Sequence, residues 1–128
     1  MFEKLEIFAT AAAMARHAGQ RQAVISQNVA NADTPDYVAR DLPAFDVLYG
    51  DSTGHNRLQR ASRPSHLHGR IPGAPAPIID MPADGAPNGN QVSLETEMLH
   101  AVDAMRQHDR AISIYKSALS VLRTTLRK

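Results

Sequence analysis

Two proline-free arms with helical periodicity flank a middle that is rich in proline and glycine. In the C-terminal arm, ten positions are separated by alternating steps of four and three residues, and nine of them carry apolar or aromatic side chains. The positions are Leu94, Met98, Ala101, Met105, His108, Ile112, Tyr115, Leu119, Leu122 and Leu126. A period of 3.5 residues is typical of a coiled-coil seam. With Ser93 as N-cap, we predict a coiled-coil helix over residues 92–128.

The N-terminal arm follows the same template with smaller side chains, and we predict a helix over residues 1–32. Its stripe is Phe8, Ala11, Ala15, Ala18, Gln22, Ile25 and Val29. Alanine adds little burial energy, whereas a fully buried Leu, Ile or Phe contributes about 1.5–3 kcal/mol. One interpretation is an ordinary amphipathic helix on a core. The other is a helix that lies against the C-terminal arm and neighbouring subunits. A length of roughly 45 Å favours the second.

The helical pattern stops within residues 28–37, since Pro35 and Pro43 cannot continue a helix. Partial alternation after this stop predicts an extended or β hook over residues 33–50. We predict that residues 51–91 form a flexible segment, because their Pro, Gly, Arg and His content buries too little surface to offset the ordering entropy. The predicted fold is mainly α: an antiparallel, coiled-coil-like helix pair with a short hook and a largely disordered middle.

The composition excludes several classes of protein. A chain of 128 residues forms at most one ordinary domain, and its net charge of +1 is too small for a dedicated nucleic-acid binder. The absence of cysteine excludes disulfides and thiolate metal sites. The N-terminus lacks a secretory signal pattern and nothing resembles a membrane span, so these signals alone predict a cytoplasmic protein.

The polar residues give weak support for chemistry. His66 and His68, with His55 nearby, lack a cysteine or close carboxylate that would complete a metal site. Four arginines without interleaved aromatics do not indicate a nucleic-acid site; they are Arg57, Arg60, Arg63 and Arg70. No phosphate-binding loop or nucleophile motif is present. We therefore expect no enzyme activity, catalytic residue, cofactor, metal or small-molecule substrate, and we interpret His108 as a polar interruption that fixes register.

The segment that ends the first helix resembles a signature of the flagellar axial proteins, the family of rod, hook and hook-associated subunits. That signature is Asn-x-x-Asn-x-x-Thr-Pro-Gly-Tyr, and it is matched by Asn28, Asn31, Thr34, Pro35 and Tyr37. Asp36 replaces the usual glycine, and aspartate tolerates the left-handed turn better than most residues. Residues 39–42 are similar to the proximal rod proteins of this family. Residues 92–98 are similar to the start of its C-terminal helix, with Ser93 in place of aspartate.

The resemblance implies a structural subunit of the proximal rod in the bacterial flagellar basal body, which transmits torque for motility. Such subunits leave the cell through the flagellar type III export apparatus without a cleaved signal peptide and assemble in the periplasm. The implied partners are copies of itself, other rod subunits, the basal-body membrane ring and the export apparatus. This export route would remove the conflict with the cytoplasmic prediction.

Two groups of residues are expected to carry this function. The hook is set by Asn28, Asn31, Thr34, Pro35, Tyr37, Arg40 and Asp41. Helix packing and assembly are carried by Phe8, Ile25, Val29, Met105, Ile112, Tyr115, Leu119 and Leu122. Two alternatives stay open: a cytoplasmic coiled-coil adaptor or export chaperone, and an Arg/His-rich binder of nucleic acid or metal.

Overall fold

The computed structural model describes residues 2–53, 75–83 and 85–126. Two long helices dominate this part of the chain, as predicted. The elements in chain order are α1 (Phe2–Ala30), β1 (Arg40–Asp41), α2 (Phe45–Thr53), β2 (Ile79–Asp80) and α3 (Leu94–Leu126). Ser93 occupies the N-cap of α3, where its Oγ accepts a long hydrogen bond of 3.5 Å from the Thr96 amide.

The two long helices pack against each other in antiparallel orientation. At one end the rings of Phe8 on α1 and Tyr115 on α3 form a T-shaped pair, with centroids 5.1 Å apart. At the other end Asn28 of α1 donates a hydrogen bond to Glu97 in the first turn of α3. The antiparallel arrangement of the terminal helices is therefore confirmed.

The face that α3 turns toward α1 differs from the predicted seam. The buried residues are Glu97, Ala104 and Ala111, each one position before a predicted seam residue. Met98 and Met105 are 68 % and 65 % exposed, and His108 is also exposed. Alanines allow the two backbones to approach closely, and this packing excludes the longer methionines from the contact. The seam prediction is therefore wrong at these three positions and at Leu94, which is 50 % exposed.

On α1 the predicted stripe is partly correct. Ala11, Ala18 and Ile25 are buried, whereas Gln22 and Val29 are exposed. The last buried position of this helix is Asn28, which is fully buried, and not Val29.

The predicted extended hook is wrong beyond Phe45, where helix α2 begins. The alternation of apolar residues there misled the prediction, because Phe45 and Tyr49 are also one helical turn apart and stack at 5.4 Å. Asp46 lies in the first turn and its carboxylate accepts a hydrogen bond from the Val47 amide. Both features favour a helix over a strand.

Part of the segment assigned to disorder instead lies against the hook. Strand β2 pairs antiparallel with β1, so that Arg40 faces Asp80 and Asp41 faces Ile79. The Ala76 backbone donates to and accepts from the side-chain amide of Gln20 at 2.9 and 2.8 Å. Residues 54–74 and 84 lie outside the described residues, and the disorder predicted for them stays a prediction.

Candidate functional site: the polar junction of the helices and the hook

Asn28 joins α1, the hook and α3 through one buried amide group. Its Nδ2 donates to the Arg40 carbonyl at 2.7 Å and to Glu97 Oε2 at 3.0 Å. Its Oδ1 accepts from the Arg40 amide at 3.0 Å and from the Tyr37 hydroxyl at 3.4 Å. The side chain therefore pairs with the Arg40 backbone as a neighbouring β-strand would, and it also holds the first turn of α3.

A second polar contact fixes the hook from the side of α1. Arg21 binds the Asp41 carboxylate through two hydrogen bonds of 2.8 and 2.7 Å. Burial raises the pKa of Asp41, but the hydrogen bonds from Arg21 and the Leu42 amide outweigh burial and hold that pKa below its usual value. The same hydrogen bond raises the pKa of Arg21. Both groups therefore stay charged near neutral pH, in bidentate geometry.

The motif residues from Asn31 to Tyr37 form the turn that follows α1. The Asn31 Oδ1 accepts a hydrogen bond from the Thr34 hydroxyl at 3.2 Å, and the Asn31 carbonyl accepts one from the Thr34 amide at 3.0 Å. Pro35 lies exposed at the top of this turn, where it needs no backbone donor. The Tyr37 amide donates to the Thr34 carbonyl and closes the turn.

Asn90 ties this turn to the start of α3, and sequence reasoning missed it. Its buried Nδ2 donates to the carbonyls of Asn31 and Thr34 at 2.9 and 2.7 Å. Its Oδ1 accepts from the Val92 amide at 2.8 Å. A turn signal surrounds it in Asn88-Gly89-Asn90, but no local pattern shows that its side chain reaches a turn 56 residues earlier.

Asp36 adopts the left-handed conformation that the family glycine would supply, with φ of 58°. Its amide donates to the Asn88 carbonyl at 3.3 Å. The Asp36 carboxylate lies against Gly89, which has φ of 79° and where any Cβ would collide with Asp36 Oδ1. The replacement at position 36 is therefore accommodated by a glycine on the opposite side of the contact.

Helix α2 is anchored on the outer side of α1. His17 is buried, its Nε2 bonds the Pro43 carbonyl at 2.9 Å, and its ring meets Phe45 edge-on. The Tyr49 hydroxyl lies 2.6 Å from the Thr10 hydroxyl. The hook is thus held by α1 at successive turns from Thr10 to Asn28.

The residues predicted to pack helices fall into two groups. Ile25 is buried, and Phe8, Ile112, Leu119 and Leu122 are partly buried. Val29, Met105 and Tyr115 are more than two-fifths exposed, although Tyr115 also contacts Phe8. The role of these exposed residues in assembly stays a prediction.

The described residues contain no group of three or more potential metal ligands. His100 Nδ1 lies 3.8 Å from Glu97 Oε1. His55, His66 and His68 are outside the described residues. No helix in the described part of the chain has the length and apolar character needed to cross a membrane.

The helix and turn that form this junction match a known family. The family described as "Flagella basal body rod protein" matches residues 9–37, which span most of α1 and the turn through Tyr37. The chain is also 26 % identical over 130 aligned residues to "Flagellar basal body rod protein FlgB" of Agrobacterium fabrum (strain C58 / ATCC 33970). That alignment covers 98 % of this chain and 96 % of the relative.

Both comparisons find the chain similar to flagellar basal body rod proteins. The proteins that it resembles are structural rod subunits and not enzymes. The junction is consistent with a structural role, because its carboxylates and amides form hydrogen bonds with other groups of the same chain. The comparisons give no support to the adaptor or chaperone alternative.

Proposed function

We propose that this chain is a structural subunit of the cell-proximal flagellar rod and joins its neighbours through the surfaces of α1 and α3 that the helix pair leaves exposed. Copies of itself, other rod subunits and the basal-body membrane ring are its proposed partners. In this role the hook sets the outer shape of the subunit, and the helix pair transmits torque along the rod axis.

The observation that carries the proposal is an exposed apolar stripe on α3. The stripe consists of Leu94, Met98, Val102 and Met105, each about half or more exposed. At 100° per residue, these four side chains lie within about 80° of one another around the helix axis. An apolar face of this length on a helix of a monomeric protein would normally be buried. Its exposure here supports burial against another subunit.

A groove at the opposite end of the helix pair adds a second apolar surface. It has a volume of about 530 Å³ and lies between Phe8 on α1 and Ile114 on α3. Ile7, Ser113, Ser117, Ala118 and Val121 complete its lining. Because a stripe and a groove at opposite ends cannot meet within one molecule, they suit head-to-tail contacts between subunits, which build open filaments.

The export route belongs to the same proposal. We infer passage through the flagellar type III apparatus, without a cleaved signal peptide, and final placement in the periplasm. The small core supports this route, since a subunit with few large buried side chains is easily held unfolded until neighbours cover it.

Electron microscopy of basal bodies from a strain that lacks this chain tests the role directly. We expect membrane rings without a rod, and the wild-type chain should restore the rod and swimming. Normal rods in that strain would contradict the proposal.

A stripe variant then tests the assembly surface. We expect Met98→Asp/Met105→Asp to retain the helicity of the wild-type chain, because both side chains are exposed, but to restore neither rod nor swimming. The matched control is Ala83→Asp/Ala86→Asp, which adds the same charge at exposed positions outside both long helices. Rods assembled from the stripe variant would exclude this face from the subunit contacts.

A further inference from the structure

The contact between α1 and α3 repeats every seven residues, so its apolar part does not define a single register. On α1 the buried positions Ala11, Ala18 and Ile25 are one heptad apart. On α3 Ala104 and Ala111 are buried with the same spacing. Sliding one helix by a heptad, about 10 Å, would again bring alanine opposite alanine.

A polar pair interrupts this repeat at one end. Glu97 occupies the heptad position of Ala104 and Ala111, one repeat earlier, and it is buried. Its Oε2 accepts the 3.0 Å hydrogen bond from Asn28, which is itself fully buried. In a register shifted by one heptad, Asn28 would face Ala104, and its amide would lose this partner.

We propose that Asn28 and Glu97 specify the register of the helix pair and couple that register to docking of the hook. The coupling follows because the same Asn28 amide also pairs with the backbone of Arg40. When Glu97 holds the amide in place, both its oxygen and its nitrogen face the hook strand. A buried polar pair that selects one register among several similar ones is a known use of such groups.

His108 was the residue expected to fix the register, and its exposure removes it from that role. The inference goes beyond the rod function, since it concerns how the subunit itself is built.

Cysteine cross-linking reads the register directly, because the chain contains no native cysteine. The pair Phe8→Cys/Tyr115→Cys reports the observed register, since these two rings are in contact. Phe8→Cys/Leu122→Cys and Phe8→Cys/His108→Cys report a slide of one heptad in either direction. Intramolecular links are quantified by mass spectrometry after mild oxidation of the purified full chain. In the otherwise unchanged chain we expect the 8–115 link to dominate.

The decisive variant moves the carboxylate by one heptad without changing composition: Glu97→Ala/Ala104→Glu. If the polar pair sets the register, Asn28 should follow the carboxylate to position 104. The ratio of 8–122 to 8–115 links should then rise by about tenfold or more. An unchanged ratio would overturn the proposal.

A second variant covers the case in which this exchange prevents helix pairing. Asn28→Leu/Glu97→Leu replaces the polar pair with apolar side chains and also removes the two hydrogen bonds that Asn28 makes to the Arg40 backbone. We expect it to keep its helicity while the 8–115 link loses its dominance over both shifted links. A merely structural pair would lower stability and leave the link pattern unchanged, and that result would reject the proposal. Glu97→Gln keeps an acceptor oxygen and should retain the native link.

Discussion

Single side-chain amides replace backbone pairing at several points of this small protein. Asn28 bonds both polar groups of the Arg40 backbone, and Gln20 does the same for Ala76. Asn90 bonds two carbonyls of the turn after α1. Since β1 and β2 are only two residues long, their own ladder is too short to hold the hook. The helices therefore supply through side chains the hydrogen bonds that a larger sheet would supply through its backbone.

The Arg21–Asp41 pair makes the stability of the folded hook depend on pH. The folded-state pKa of Asp41 lies below its ordinary value of 3.8, so the pair contributes its full stabilisation above that pH and loses it as pH falls through the lowered pKa. We expect Asp41→Asn to lower the free energy of unfolding by about 2–3 kcal/mol at neutral pH, because Arg21 loses a partly buried partner.

Urea denaturation followed by circular dichroism at neutral and acid pH measures this difference. The gap between wild type and Asp41→Asn should shrink below about pH 4. The matched control is Asp33→Asn, at an exposed aspartate in the turn after α1. It should change the free energy of unfolding little at either pH. A gap that persists in strong acid would show that the charge of Asp41 is not what stabilises the hook.

Asp36 and Gly89 form a second pair whose members depend on each other. We expect Gly89→Ala to destabilise the chain, since a new Cβ would meet the Asp36 carboxylate and the residue has positive φ. With Asp36→Gly the collision disappears and only the backbone strain of about 1 kcal/mol remains. A double-mutant cycle of unfolding free energies measures the coupling. Additive effects of the two substitutions would contradict a direct contact.

At the scale of whole elements, local signals predicted the helices and long-range contacts decided their faces. Pro35 is a stop signal shortly after the end of α1, and Ser93 is a start signal directly before α3. The face that α3 presents to α1 was not predicted correctly, because the seam was assigned to the larger apolar residues Met98 and Met105. Close packing of the two helices instead buries alanines. The junction was found only through the motif, and Asn90 was missed because its partners are distant in sequence.

Leu119 tests the contact made by the C-terminal half of α3. It is partly buried in the isolated helix pair and lies in the half that also carries the groove. We expect Leu119→Asp to abolish rod assembly and motility, since it places a charge at the edge of an apolar contact. Swimming assays with immunoblotting of exported protein measure both steps. Ser120→Asp, at an exposed neighbour, is the control. Normal swimming with Leu119→Asp would exclude this position from both packing and assembly.

At the scale of the molecule, the described residues bury few large apolar side chains. Five of their eight buried hydrophobic residues are alanine: Ala11, Ala18, Ala39, Ala104 and Ala111. Each alanine buries far less apolar surface than a leucine or phenylalanine, whereas every residue of the two long helices loses conformational entropy on folding. Polar contacts at the junction give this core its specificity but add little net stability.

The isolated chain should therefore be marginally stable and should gain helical order when neighbours cover the α3 stripe. We expect a broad thermal transition at micromolar concentration, with a free energy of unfolding below the usual range of about 5–15 kcal/mol. Circular dichroism melts at increasing protein concentration measure both properties. Met98→Asp/Met105→Asp provides the control, because it should keep the broad transition while losing any gain with concentration. A sharp, concentration-independent transition of the wild-type chain at high temperature would mean that the helix pair is complete without its neighbours.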